Sequence, residues 1–364
     1  MIEHKEHFHG SDLEKIEAVY GIKKEDIISF SANVNPLGIS GKLRDTIASH
    51  IDSITMYPDR EYTSLKKCIG SYIHTDYRNI LTGNGSTELI SLLIGKRAAK
   101  KALLLAPSYS EYEREVMLSG GQCEYYTLKA EDDFILQTED LCNTLDDSVD
   151  LLIICNPNNP TASQILRTDM QKIVAACQKH DTFVMIDETY IEFSDDMEAA
   201  TAIPLTETYD NLMVLRGISK FFAAPGLRLG YAVCGDKDLL KELDEKKNPW
   251  TINSLAAIAG EIMFTDNEYI HTTRELIAKE RSRICKKLSA CDSIKVYPSH
   301  ANFVLVQIKK DGITATDVFE AAIKQGLMIR DCSTFEALGD KFFRFCFMKE
   351  EDNDKLLSVL FNIL

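Results

Sequence analysis

Several things are scarce in this chain of 364 residues. Lys plus Arg number 41 against 56 Asp plus Glu, so the formal net charge is −15. A chain this acidic is a poor general partner for nucleic acid, whose phosphates are held by cations. No apolar run reaches the roughly 18–20 residues that span a bilayer, so no membrane association is expected. The opening Met1-Ile2-Glu3-His4-Lys5 is polar, unlike the apolar stretch of a secretory leader. None of the ten cysteines stands at C-x-x-C spacing, and the eight histidines show no ligand spacing, so no metal is expected. The thiols read as reduced ones, which points to the cytoplasm. Internal repeats and low-complexity tracts are missing too. These absences leave a cytoplasmic enzyme acting on small molecules.

What is present is an α/β pattern. The apolar runs Ala102–Ala106, Leu151–Cys155, Thr182–Ile186, Leu212–Leu215 and Leu229–Val233 read as buried strands. Helical stretches at Glu111–Leu118 and Asp169–Lys179 fall between them. That alternation indicates a mostly parallel sheet covered on both faces. The last third suggests a smaller α+β unit. It has a broken helical region over Ser254–Leu288, strands at Phe303–Val306 and Phe343–Phe347, and helices at Ala315–Lys324 and Asp352–Phe361. The length suggests two domains. Asn248-Pro249-Trp250 marks a hinge, because Pro ends the helix before it, with the single tryptophan as a packing anchor there. The boundaries expected are an N-terminal arm at 1–45, a large domain at 46–250 and a small domain at 251–364.

Four stretches have the composition of a site. Gly83-Asn84-Gly85-Ser86-Thr87-Glu88 opens an apolar helix. It is either an anion site at a helix N-terminus or a tight turn with a Ser cap. Asn156-Pro157-Asn158-Asn159-Pro160-Thr161 follows a buried strand, at the end where α/β sheets bind ligands. Asp187-Glu188-Thr189-Tyr190 follows another. A partly buried Asp187 needs a partner, such as a protonated pyridine nitrogen, unless it caps a helix. In Ser219-Lys220-Phe221-Phe222-Ala223-Ala224-Pro225-Gly226-Leu227-Arg228, apolar neighbours favour a low-pKa amine at Lys220, and Arg228 offers a fork for phosphate. The alternative there is a solvated surface loop.

Taken in order, these motifs together with Pro107-Ser108-Tyr109 resemble the fold-type I pyridoxal-phosphate enzymes of the aminotransferase class I/II superfamily, across essentially the whole chain. His9-Gly10, Phe30–Gly38, Tyr57-Pro58-Asp59, Pro225–Tyr231, Asn248-Pro249-Trp250, Tyr297–Asn302 and Arg330-Asp331-Cys332 resemble the threonine-phosphate decarboxylase branch. Histidinol-phosphate aminotransferases are its nearest relatives.

The resemblance implies a large domain with a mostly parallel seven-stranded sheet, a smaller α+β domain, and pyridoxal 5'-phosphate as cofactor. It implies that Lys220 holds the cofactor and moves protons. Asp187 would pair with the ring nitrogen. Asn159 and Tyr190 would bind the phenolic oxygen, and Tyr109 would stack on the ring. Gly85, Ser86, Thr87, Ser219 and Arg228 would hold the phosphate. Tyr57 would reach the phosphate of a neighbouring subunit in a homodimer with shared sites. Arg330 and Arg344, with His9 and Asn35, would bind a phosphorylated amino acid. The activity implied is decarboxylation of O-phospho-L-threonine to 1-amino-2-propanol phosphate, as in cobalamin biosynthesis. The alternatives are a histidinol-phosphate-type aminotransferase or a phosphoserine decarboxylase. The chain departs from the pattern at Ala162 and Gly217, at Ser11-Asp12, and at Met348.

Overall fold

The computed structural model describes residues 12–364. A seven-stranded sheet forms its centre. In spatial order the strands are Ile80–Gly83, Gly230–Cys234, Leu212–Gly217, Phe183–Asp187, Leu151–Cys155, Lys101–Ala106 and Gln122–Thr127. Gly230–Cys234 runs antiparallel to both its neighbours, and the other pairings are parallel. The central strands are buried along their whole length, as the continuous apolar runs require. Gln122–Thr127 at one edge is only partly buried, and its polar sequence keeps that edge from pairing further.

Four parallel strands therefore end side by side. Ala106, Cys155, Asp187 and Gly217 each close one of them, and the loops beyond carry most of the candidate motifs. A second sheet, antiparallel in the order Arg330–Asp331, Phe342–Cys346, Phe303–Ile308 and Ile294–Val296, supplies the opposite wall. The short strand Ile28–Ser29 pairs with Leu327–Met328 and ties the start of the described chain to this unit.

The helical region after Pro249 is two helices, Ser254–Met263 and Asn267–Ser289. Asp266 caps the second by accepting from the Tyr269 amide. The first packs against the helices Gly41–Ser49 and Thr63–Ile73. Trp250 is not the packing anchor expected. It is 43% exposed with φ at 56°, and its ring lies against Tyr57 rather than in the core.

Beneath the strand ends lies a buried ionic cluster. Arg216 and Glu188 are 2% and 0% exposed and pair at 2.8 Å. Thr201 and the Ala202 amide complete Glu188, and Arg216 also faces Glu192 at 3.8 Å. Burial pushes the Glu192 carboxyl up to about 7, against the pull of Arg216. The pair joins two adjacent strand ends, one step from Asp187 and four from Lys220. Breaking such a pair leaves an uncompensated buried charge. Glu188→Ala is expected to lower unfolding stability by about 3–5 kcal/mol, and the triple change Arg216→Met, Glu188→Leu and Glu192→Leu, which removes all three buried charges, by much less. Urea denaturation midpoints of the three chains check this.

Candidate active site

The loops at the strand ends enclose a cavity of about 330 Å³. Lys220 sits three residues beyond the strand Leu212–Gly217, with its Nζ donating to the Ala32 carbonyl at 2.6 Å. Desolvation pulls its amine down to about 8, and the nearby Arg344 and Arg228 cations push the same way. A substantial fraction is therefore neutral, and nucleophilic, near pH 8.

Asp187 ends the adjacent strand and forms part of the floor. Its Oδ1 accepts from the Thr189 amide and hydroxyl, and its Oδ2 from the Tyr112 hydroxyl at 2.7 Å. Burial raises its pKa, while these hydrogen bonds oppose the rise. Among the described residues it is the one carboxylate lining the cavity, against Lys220, Arg228, Arg330 and Arg344.

At one end the helix Gly85–Arg97 begins. Gly85, Ser86 and Thr87 face the cavity, and Asn84 at the N-cap makes no side-chain cap. The alternative of a Ser-capped turn is not realised, so the first amides and the positive end of the helix dipole point at the cavity. Gly85 has φ at 79°, and a side chain there would collide with the Arg228 guanidinium. Ser219 and Arg228 complete this end.

Tyr109 and Tyr190 supply aromatic walls. Burial holds both phenols well above the usual tyrosine range, that of Tyr109 up to about 12. Tyr190 accepts from the Asn33 amide at 3.3 Å. Asn159 also lines the cavity and bonds Arg344 through its Oδ1. Asn156 and Asn158 do not line it; they tie the loop to Ile165, Ala200, Pro107 and Thr161.

The far end is cationic. Arg344 is buried, donates to the Ser31 carbonyl at 2.8 Å, lies over the Phe303 ring, and leaves its Nε with no partner. Arg330 stands directly across the strand pair from it, donates to Thr334 and lies over Phe335. Ser31 Oγ and Asn33 Oδ1 are likewise buried without partners beside the cavity. Buried polar groups left unsatisfied are costly; the Arg344 Nε and the Ser31 hydroxyl can donate to an anionic ligand, whereas Asn33 Oδ1 can only accept.

Of the expected site residues, one is placed differently, one stands away from its own chain's cavity, as a role in a neighbouring subunit requires, and one lies outside the described range. Asn35 does not line the cavity. Its amide lies within hydrogen-bond distance of the Phe221 carbonyl, Tyr269 and Thr273, and its Oδ1 accepts from Leu37, so it braces the loop that carries Lys220. Asn33, two residues earlier, reaches the cavity instead. Tyr57 is 81% exposed and outside the cavity of its own chain. His9 lies outside the described residues. Sequence reasoning missed Asn33, Tyr112, Thr189 and Phe335. The one available signal was the spacing of Tyr109 and Tyr112, three residues apart at a helix start and so on one face. Among the described residues no three His, Cys, Asp or Glu gather as metal ligands, and no helix is long and apolar enough to cross a membrane.

The donor set fits pyridoxal phosphate. It offers a low-pKa amine for the aldehyde, a buried carboxylate for the ring nitrogen, and a helix N-terminus with an arginine for the phosphate. The chain is 37% identical over 90% of its length, and 88% of the relative's, to a Caldanaerobacter subterraneus subsp. tengcongensis protein provisionally named threonine-phosphate decarboxylase. It is 30% identical to the threonine-phosphate decarboxylase of Salmonella typhimurium, covering 98% of this chain and 96% of that one. The crystal structure of the histidinol-phosphate aminotransferase from Clostridium acetobutylicum superposes with a TM-score of 0.85 at 32% identity, covering 92% and 98% of the two chains. The sequence model of aminotransferase class I and II matches residues 25–360, and the chain belongs to that family.

Proposed function

We propose that the protein decarboxylates O-phospho-L-threonine to 1-amino-2-propanol phosphate and carbon dioxide. The observation that carries this is the pair Arg330 and Arg344, set across from each other at the end of the cavity away from Arg228. Arg228, Ser219 and the helix start are enough for the phosphate of the cofactor. The two further guanidinium groups suit a substrate with two anionic ends, which a phosphorylated amino acid has. Relatives named threonine-phosphate decarboxylase support the reading. The histidinol-phosphate aminotransferase relative supports a second one, transamination of a phosphorylated amine in the same cavity.

When bound, pyridoxal phosphate accepts the electron pair released as a bond at the substrate's α-carbon breaks. The protein's own groups do the rest. Tyr112 and Thr189 donate to Asp187, which favours its ionised form facing the ring nitrogen. Tyr190 and Asn159 hold the phenolic oxygen, and Tyr109 covers the ring. Arg330 and Arg344 fix the two anions, and so decide which α-carbon bond is presented for cleavage. Lys220, near its midpoint at neutral to mildly basic pH, is placed to return the proton that replaces the carboxylate. Ten free thiols suit a reducing compartment, and we place the protein in the cytoplasm.

We also propose a homodimer. Ile51, Ile54, Met56 and Tyr57 are exposed together on one stretch, with Trp250 against Tyr57. Contiguous apolar surface of this kind marks an interface. Tyr57, outside its own cavity, would serve the partner's.

Four outcomes are expected. The cofactor-loaded protein converts O-phospho-L-threonine to aminopropanol phosphate, read by phosphorus and proton NMR; a 2-oxo product formed with 2-oxoglutarate would replace this reading with the aminotransferase. In the same assay Arg330→Ala raises KM about tenfold or more, the loss of roughly 1.4 kcal/mol of binding or greater, and leaves cofactor affinity within about threefold. Cofactor uptake by the apoprotein rises with pH through about 8, because the lowered pKa of Lys220 brings the neutral amine in there rather than near 10.5. Finally, Met56→Asp yields a monomer in sedimentation velocity, where the parent chain sediments as a dimer.

A further inference from the structure

Tyr112 holds Asp187, and it also touches a second wall of the slot. It lies in the first turn of the helix Glu111–Leu118 and is 1% exposed. Its hydroxyl donates to Asp187 Oδ2 at 2.7 Å. Its ring stands edge-on to Tyr109, with centroids 5.5 Å apart and planes at 85°. A carboxylate oxygen has two lone pairs, so Oδ2 keeps one for the cavity while Tyr112 holds the other. The phenol is driven far above its usual range by burial and by the Asp187 charge, so it stays protonated and can donate to that carboxylate.

We propose that Tyr112 is the positioning residue of the cofactor slot: one side chain aims the carboxylate that faces the ring nitrogen and braces the aromatic ring that covers the cofactor. The inference rests on the reading above, in which the cofactor ring lies over Asp187. Its chemical consequence is specific. A hydrogen bond donated to a carboxylate stabilises the ionised form. Without it, Asp187 binds a proton more tightly and takes a larger share of the one between it and the ring nitrogen. The ring then withdraws fewer electrons from the nitrogen that joins it to Lys220, and that nitrogen becomes more basic.

The test is a pH titration of the visible absorption band of the cofactor-loaded protein. In Tyr112→Phe, which keeps the ring and loses the hydroxyl, the midpoint is expected to rise by about half a pH unit or more. Tyr112→Leu, which loses the ring as well, is expected to weaken cofactor binding at least about tenfold beyond Tyr112→Phe, as loss of an aromatic contact and its buried area would. Asp187→Asn is the reference. If Asp187→Asn moves the midpoint and Tyr112→Phe does not, the aiming role is overturned while the cofactor placement stands. If neither moves it, the cofactor ring is not on Asp187 and the underlying reading fails. Equal cofactor affinity in Tyr112→Phe and Tyr112→Leu overturns the bracing role.

Discussion

Lys220, Arg228, Arg330 and Arg344 share a cavity with the carboxylate of Asp187, and the surrounding architecture holds them in that arrangement. Like charges brought together in a half-buried space repel, and each loses hydration. The protein meets part of that cost with backbone carbonyls: Ala32 for Lys220, Ser31 for Arg344 and Pro225 for Arg228. Arg330 donates to Thr334 and lies over the Phe335 ring. An acidic chain thus keeps one concentrated positive site, and the depressed pKa of Lys220 is the local consequence.

The backbone contributes to this arrangement through unusual conformations. Asn33 and Arg228 adopt left-handed φ of 55° and 58° at the cavity, a region that costs a residue with a side chain about 1–2 kcal/mol. Such outliers persist where the surroundings over-determine them. Asn33 is held by its bond to Tyr190 and by Asn302 on its carbonyl. Ala162, where the superfamily pattern has glycine, also has φ at 58°, so the chain retains the bend without the residue best suited to it. Gly217 leaves room next to Ser86 and Ser219, whose hydroxyls lie 3.5 and 3.9 Å from where a Cβ would stand.

Much of this was legible in the sequence because two independent signals agreed. Buried parallel strands read as unbroken apolar runs, and the polar motifs directly after them marked the sheet's ligand-binding edge. Lys220, Asp187, Arg228 and Asn159 were found that way or through the ordered resemblance. The strand Gln122–Thr127 was missed because an edge strand with one partner need not be apolar. Ile80–Gly83 was missed because four residues leading into a glycine turn give too short a pattern. Asn33 and Asn35 exchange roles for a reason no linear pattern contains: the left-handed bend at Asn33 turns its side chain to the cavity and leaves Asn35 facing Tyr269 and Thr273. Trp250 was misjudged because hydrophobicity alone predicts burial, whereas here the ring lies in an exposed apolar patch.

The register of one strand pair has a further implication. Arg330 and Arg344 are direct partners across an antiparallel ladder, so the distance between their Cα atoms is set by sheet geometry rather than by loop conformation. On the proposed reading such a pair would work as a ruler. It would measure the separation of two charges in the substrate, and be indifferent to much of what connects them. Substrate range would then be bounded by molecular length more sharply than by side-chain identity. A change towards a longer or shorter phosphorylated compound would proceed by moving Arg344 two positions along the strand Phe342–Cys346, since a shift of one would turn it to the opposite face.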